Sequence, residues 1–162
     1  MAKLTRDLYI PLVDKNKLTG KGGEGYDWIR IDKSTVFALA FNPQEETFSY
    51  IDAPNDATEI TSYQPELPQE IVLDSDNPLY EAMKGFCMSM PVGSNANVPC
   101  LLVMPDKSGN ATEGHLWADA TVSPQTLDSV AGKLSFTLKL NGKKTDGTVT
   151  ASNGTFVFAA AN

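Results

Sequence analysis

The sequence predicts a mainly β domain: two packed antiparallel sheets, as a sandwich or open barrel, with one flanking α-helix. Three observations predict it. Apolar and polar residues alternate over Leu134, Phe136, Leu138 and Leu140, and again over Leu116, Ala118, Ala120 and Val122, which is the pattern of strands with one buried face. Turn dipeptides recur between short β-rich runs, at Asn42-Pro43, Ser108-Gly109, Asn141-Gly142, Asp146-Gly147 and Asn153-Gly154, and many short strands at that spacing build sandwiches or barrels. Only one stretch carries a complete set of helix signals.

In chain order, strands are expected over 8–13, 28–31, 35–41, 47–51, 71–73, 98–104, 115–122, 134–140 and 155–159. The glycine-rich run Thr19-Gly-Lys-Gly-Gly-Glu-Gly25 connects the first two. It lacks the Gly-Lys-Ser/Thr ending and the following helix of a phosphate loop, so it reads as a flexible connection. The segment 52–69 contains Pro54, Pro65 and Pro68 and few apolar residues. An irregular stretch that long usually either binds something or is disordered, so an arm that is mobile in the free subunit is expected there. The helix begins at Asn77-Pro78, a cap residue followed by proline at the first helical position, and Gly85 is expected to close it,. Leu79, Met83 and Phe86 fall at helical spacing, giving one apolar stripe to lie on the sheets. Asp74, Asp76 and Glu81 favour the helix dipole rather than forming a calcium loop, because Pro78 interrupts the required order and no glycine follows,.

The chain has 162 residues and forms one expected domain, 1–162, with 13 Lys+Arg against 20 Asp+Glu. That length buries about 68–70% of the unfolded surface, enough for a core without staples. The longest apolar runs, 36–41 and 156–161, are far too short to span a bilayer, and the first residues lack the apolar stretch of a secretory signal,. The net charge of −7 is unevenly spread. Residues 34–83 hold ten acids and no Lys or Arg, leaving +2 before the window and +1 after it. Such a window is a solvated surface that keeps the protein soluble, a wall that repels a polyanion, or one side of a charge-complementary contact. A nucleic-acid clamp is disfavoured, since phosphate binding needs clustered Lys and Arg.

No catalytic, metal or cofactor site is expected. Along an extended strand His115 and Asp119 share a side but stand about 13 Å apart, too far for a base and its orienting carboxylate. No Gly-x-Ser-x-Gly elbow occurs,. Two carboxylates suffice for glycoside hydrolysis, yet the acids here fall on polar stretches without flanking aromatic clusters. Cys87 and Cys100 are separated by twelve residues inside apolar runs. They form no zinc pattern and read as reduced, buried thiols, with a disulfide open only if the two runs pair as a hairpin.

The run from Tyr26-Asp-Trp-Ile-Arg-Ile through Phe41-Asn-Pro-Gln-Glu-Glu-Thr-Phe-Ser-Tyr-Ile-Asp52 resembles the start of tail tube (major tail) proteins of tailed phages infecting Gram-positive bacteria. Asn55 to Pro65 looks like that family's next strand and arm, and the helix opened by Asp76-Asn-Pro-Leu-Tyr also fits. The resemblance covers roughly residues 5–90. It implies a tail-tube-like sandwich or open barrel, a structural subunit with no enzymatic activity, and hexameric rings stacking around an acidic channel through which DNA passes without specific binding. The implied partners are the chain itself, a tape measure protein, and tail terminator and distal tail proteins; no membrane is involved. The implied location is the virion, after synthesis in the cytoplasm of the host bacterium. On this reading Asp52, Asp56, Glu59, Ile60, Tyr63 and Glu66 are the inter-ring contact residues of the arm, and Lys15, Lys17 and Lys21 are basic partners for its acids. The alternative is a monomeric β-sandwich adhesion or carbohydrate-binding module.

Overall fold

A computed structural model describes residues 8–20, 25–31, 34, 37–52, 54–152 and 155–161. Its strands are β1 (Ile10–Asp14), β2 (Trp28–Arg30), β3 (Pro43–Phe48), β4 (Ala57–Tyr63), β5 (Glu66–Val72), β6 (Cys100–Pro105), β7 (Ala111–Trp117), β8 (Thr121–Asp128), β9 (Lys133–Lys139), β10 (Lys144–Ser152) and β11 (Thr155–Ala160). The helices are a single turn, α1 (Lys15–Leu18), and α2 (Pro78–Met88), with a 3-10 turn at Gly93–Ala96. The protein is mainly β, with one main helix, as the alternation and turn spacing predict.

Six strands form a sheet in the order β11-β10-β7-β6-β1-β2, and β11 curls back to lie close to β2. A second sheet has the order β5-β9-β8, and β3 and β4 pair with each other as a separate hairpin. The main core lies between the two larger sheets. Val13, Cys100, Leu102 and Trp117 from the first meet Leu67, Ile71, Val122, Leu134, Phe136 and Leu138 from the second, with Leu79, Met83 and Phe86 of α2 closing one side. A smaller cluster, Ile10, Leu12, Trp28, Leu101, Val103, Leu116 and Val149, fills the inside of the curl. Strands β1 and β6 are therefore covered on both faces, which is why they read as continuous apolar runs instead of alternating,.

Helix α2 starts where the sequence places it. The Asn77 side chain accepts a hydrogen bond from the Leu79 amide at 3.1 Å, and Leu79, Met83 and Phe86 are buried. Gly85 does not end it: the helix continues to Met88, is capped by Ser89, and the chain then turns through Met90 at φ 51°. The cysteines are free; Cys87 is half-buried on α2 and Cys100 fully buried on β6.

Several sequence boundaries are corrected. The alternation over 115–122 spans two strands, because the chain leaves the six-stranded sheet after Trp117 and joins the three-stranded sheet at Thr121, with Ala120 and Val122 still buried. The strand expected over 35–41 is reduced, among its described residues, to an isolated bridge from Ala40 to Glu66, with Ser34 bridging to Ile71 just before it. The strand expected over 47–51 lies earlier, at Pro43–Phe48. Asp146-Gly147 is no turn but lies inside β10, where Gly147 pairs with both Gly114 and Ala160. A Cβ at 147 would run into the Ala159 carbonyl oxygen, so glycine serves close backbone approach there,. The Asn153-Gly154 turn and residues 21–24 of the glycine-rich run lie outside the described residues.

Candidate assembly surfaces

The expected irregular segment 52–69 divides into three parts. Its last part is β5, a core strand with Leu67, Gln69 and Ile71 buried in alternation. Here Pro68 faces outward and pairs with Thr137 across the sheet. Its middle part is β4, and its first part is the connection between β3 and β4. The projecting element therefore starts earlier and stops earlier than the sequence suggests: it is the hairpin 43–63.

Pairing along that hairpin runs from Pro43↔Tyr63 to Phe48↔Ala57, with a bulge between Gln44 and Glu45. The Thr47 and Thr58 hydroxyls meet at 3.2 Å, and the Thr61 hydroxyl donates to the Gln44 carbonyl at 3.0 Å. At the base Asn42 adopts φ 47°, and its amide donates to the Gln64 carbonyl at 3.1 Å. Every residue of β4 is exposed, and so is every residue of β3 except the half-buried Phe48. A two-stranded ribbon with no packed face is marginal in water, and this one carries a further burden. Glu46 stands directly opposite Glu59, and like charges in that position repel. None of the five hairpin acids, Glu45, Glu46, Asp52, Asp56 and Glu59, holds an ion pair among the described residues.

The structure brings Asp52, Asp56, Glu59, Ile60 and Tyr63 onto this one element. Glu66 is separate: it opens β5 and pairs with Lys139 at 3.4 Å. Lys15 and Lys17 lie on α1, and Lys21 lies outside the described residues. Sequence reasoning missed the β3 half of the arm and the exposed Phe41, Tyr50 and Ile51 beside it. The run Thr58-Glu-Ile-Thr-Ser-Tyr63 held the signal, being rich in residues that favour strands,. At the hairpin base a groove of about 880 Å³ opens between Phe41, Ile60 and Tyr63 on one side and Met104, Trp117 and Leu140 on the other.

The remaining chemistry is structural in form. His115 Nδ1 lies 2.6 Å from Asp146 Oδ1, its cross-strand neighbour, and Nε2 lies 2.8 Å from Glu113 Oε1. Both ring nitrogens are thus engaged by carboxylates of the same sheet. Lys144 reaches the same Asp146 oxygen at 3.1 Å. These hydrogen bonds, first from His115 and then from Lys144, hold the Asp146 carboxyl below its ordinary range. Burial pushes the Cys87 thiol up to about 11 and the Cys100 thiol up to about 12, which suppresses the thiolate that nucleophilic chemistry needs. Asp106 closes the β6–β7 turn by accepting from the Ser108 and Asn110 amides and the Thr112 hydroxyl. No three His, Cys, Asp or Glu side chains converge as a metal site among the described residues.

No protein-family model matches the sequence, and no curated protein matches it. Solved structures do. The sheath/tube terminator of an extracellular contractile injection system, PVC, in its extended state superposes with a TM-score of 0.51 at 9% identity, covering 90% of this chain and 97% of that one. The tube-terminating cap of the anti-feeding prophage gives 0.49 at 11% identity, covering 91% and 93%. Hcp1 from Salmonella typhimurium gives 0.36 at 17% identity, covering 94% and 93%. The chain thus shares its fold, over nearly its whole length, with the terminator of a sheath and tube.

Proposed function

We propose that this chain is the structural subunit of a phage or phage-derived tail tube, closing as six copies into rings that stack around a channel. The observation that carries the reading is the 43–63 hairpin, which is paired along its strands yet has no packed face and no ion-pair partner among the described residues. A fold shared with a sheath/tube terminator supports it. Charge supports a passage for DNA: ten acids without a Lys or Arg over 34–83 give a surface that phosphate does not grip,. The acids of the arm, Asp52, Asp56 and Glu59 above all, then meet basic residues of another copy such as Lys15 or Lys17, with Ile60 and Tyr63 as apolar contacts. A tape measure protein inside the channel and a terminator and distal tail protein at the ends complete the assembly. The 26–52 run supports a phage of a Gram-positive host as the setting, with the protein made in the bacterial cytoplasm. Sedimentation velocity over a concentration series tests the reading. A monomer boundary giving way to a six-chain species and then to larger particles is expected; a single monomer boundary at every concentration overturns it in favour of a monomeric β-sandwich module.

A further inference from the structure

The described lysines divide into two groups. Lys84, Lys133, Lys139 and Lys144 each hold a carboxylate, while Lys15, Lys17, Lys107 and Lys143 hold none. Two of the unpaired ones sit together on α1, and α1 lies against α2. Between them opens a groove of about 940 Å³, with Lys17 and Leu18 on the α1 side and Phe86, Met90, Pro91 and Val92 on the other. Its far wall is apolar and wet: Met90 is 75% and Val92 77% exposed. Met90 also holds φ 51°, a conformation a side-chain-bearing residue adopts at a cost, and it spends that strain on presenting a flexible thioether to solvent. The one carboxylate in the groove, Glu81, is engaged by Lys84 at 3.4 Å.

We propose that this groove is the seat for the β3–β4 hairpin tip of a second copy of the chain, an inference that rests on the tube-subunit reading above. The tip matches the groove in both respects. Tyr50 is 53% exposed and Ile51 fully so, giving two apolar anchors, and Asp52 and Asp56 beside them have no cation of their own. Tyr50 and Ile51 cover Met90 and Val92, while the two aspartates face α1, where Lys17 lines the groove and Lys15 lies just outside its lining. Tip and groove are different surfaces of one chain. Made without reciprocal exchange, the contact is heterologous: each copy that inserts its tip leaves its own groove open for another. The ion pairs at its rim set register, and salt weakens them.

The test uses the full chain. Chains carrying Ile51→Cys and Cys87→Ala are mixed with chains carrying Val92→Cys and Cys87→Ala, assembled and oxidised, with Val130→Cys replacing Ile51→Cys as an equally exposed control. The expected result is covalent 51–92 pairs and little 130–92 product. A second arm avoids dependence on cysteine geometry. Lys15→Glu with Lys17→Glu blocks assembly of otherwise folded chains, and adding Asp52→Lys with Asp56→Lys restores it. Ile51→Asp raises the concentration needed for assembly by about thirtyfold, the scale of losing one buried anchor. Wild-type particles that form while 51–92 stays uncrosslinked and the charge swap fails to rescue overturn this seat and leave the ring reading intact. Wild-type chains that never assemble overturn both.

Discussion

Two glycines make the cleanest contrast at the scale of single residues. A Cβ at Gly147 would collide with the backbone of the neighbouring strand β11, whereas a Cβ at Gly85 meets nothing within 4 Å and lies inside α2. Gly147→Ala is expected to cost about 1–3 kcal/mol by overpacking, and Gly85→Ala to stabilise by about 0.4–1 kcal/mol by removing unfolded-state freedom. Urea unfolding measures both, and opposite signs are the result expected. Phe136 is 1% exposed at the centre of the main core, so Phe136→Ala should cost about 3–5 kcal/mol in the same assay. Asp146 sets a pH dependence. Its carboxyl is held below the ordinary value near 3.8 by His115 and Lys144. The stability it contributes is thus present above that value and lost as pH falls through the lower folded one. Asp146→Asn should therefore flatten the acid limb of the stability curve below about pH 4 while leaving the neutral region nearly level, as its exposure to solvent dictates.

At the scale of elements, the helix and the core strands were legible because each satisfies two signals at once. Asn77-Pro78 supplies cap and first turn together, and β9 alternates from Leu134 to Leu140 because one of its faces packs on the other sheet. The hairpin was only partly legible for the converse reason: with no buried face, β4 has no alternation to show, and its traces are its β-branched run and the resemblance over 55–65. Prolines misled as well, since Pro68 sits in a core strand with its ring turned outward. Replacing 54–67 by a flexible linker would remove Leu67, which is fully buried, and damage the core. Replacing 44–62 by a short Gly-Ser turn instead joins Pro43 to Tyr63, which are already neighbours across the hairpin. That variant should keep its melting temperature and lose only the hairpin's share of the β circular dichroism, because nearly every residue it loses is exposed, and it should fail to form long particles. Normal particles from it would remove the hairpin from the assembly.

For the whole molecule, charge and shape act together. The proposed ring of six chains would carry a large negative charge that must stay off the contacts between copies or be neutralised there,. The hairpin concentrates five acids on one projection, and α1 concentrates two lysines that hold no ion pair among the described residues. Assembly should accordingly weaken with added salt without vanishing, since apolar contacts persist when the ion pairs are screened. The curled six-stranded sheet behind these surfaces buries both faces of β1 and most of β6. Electron microscopy of the purified chain at high concentration tests the central claim most directly. Six-fold rings with an open centre and stacks of them are expected; a field of small separate particles at every concentration and salt would contradict the tube-subunit reading.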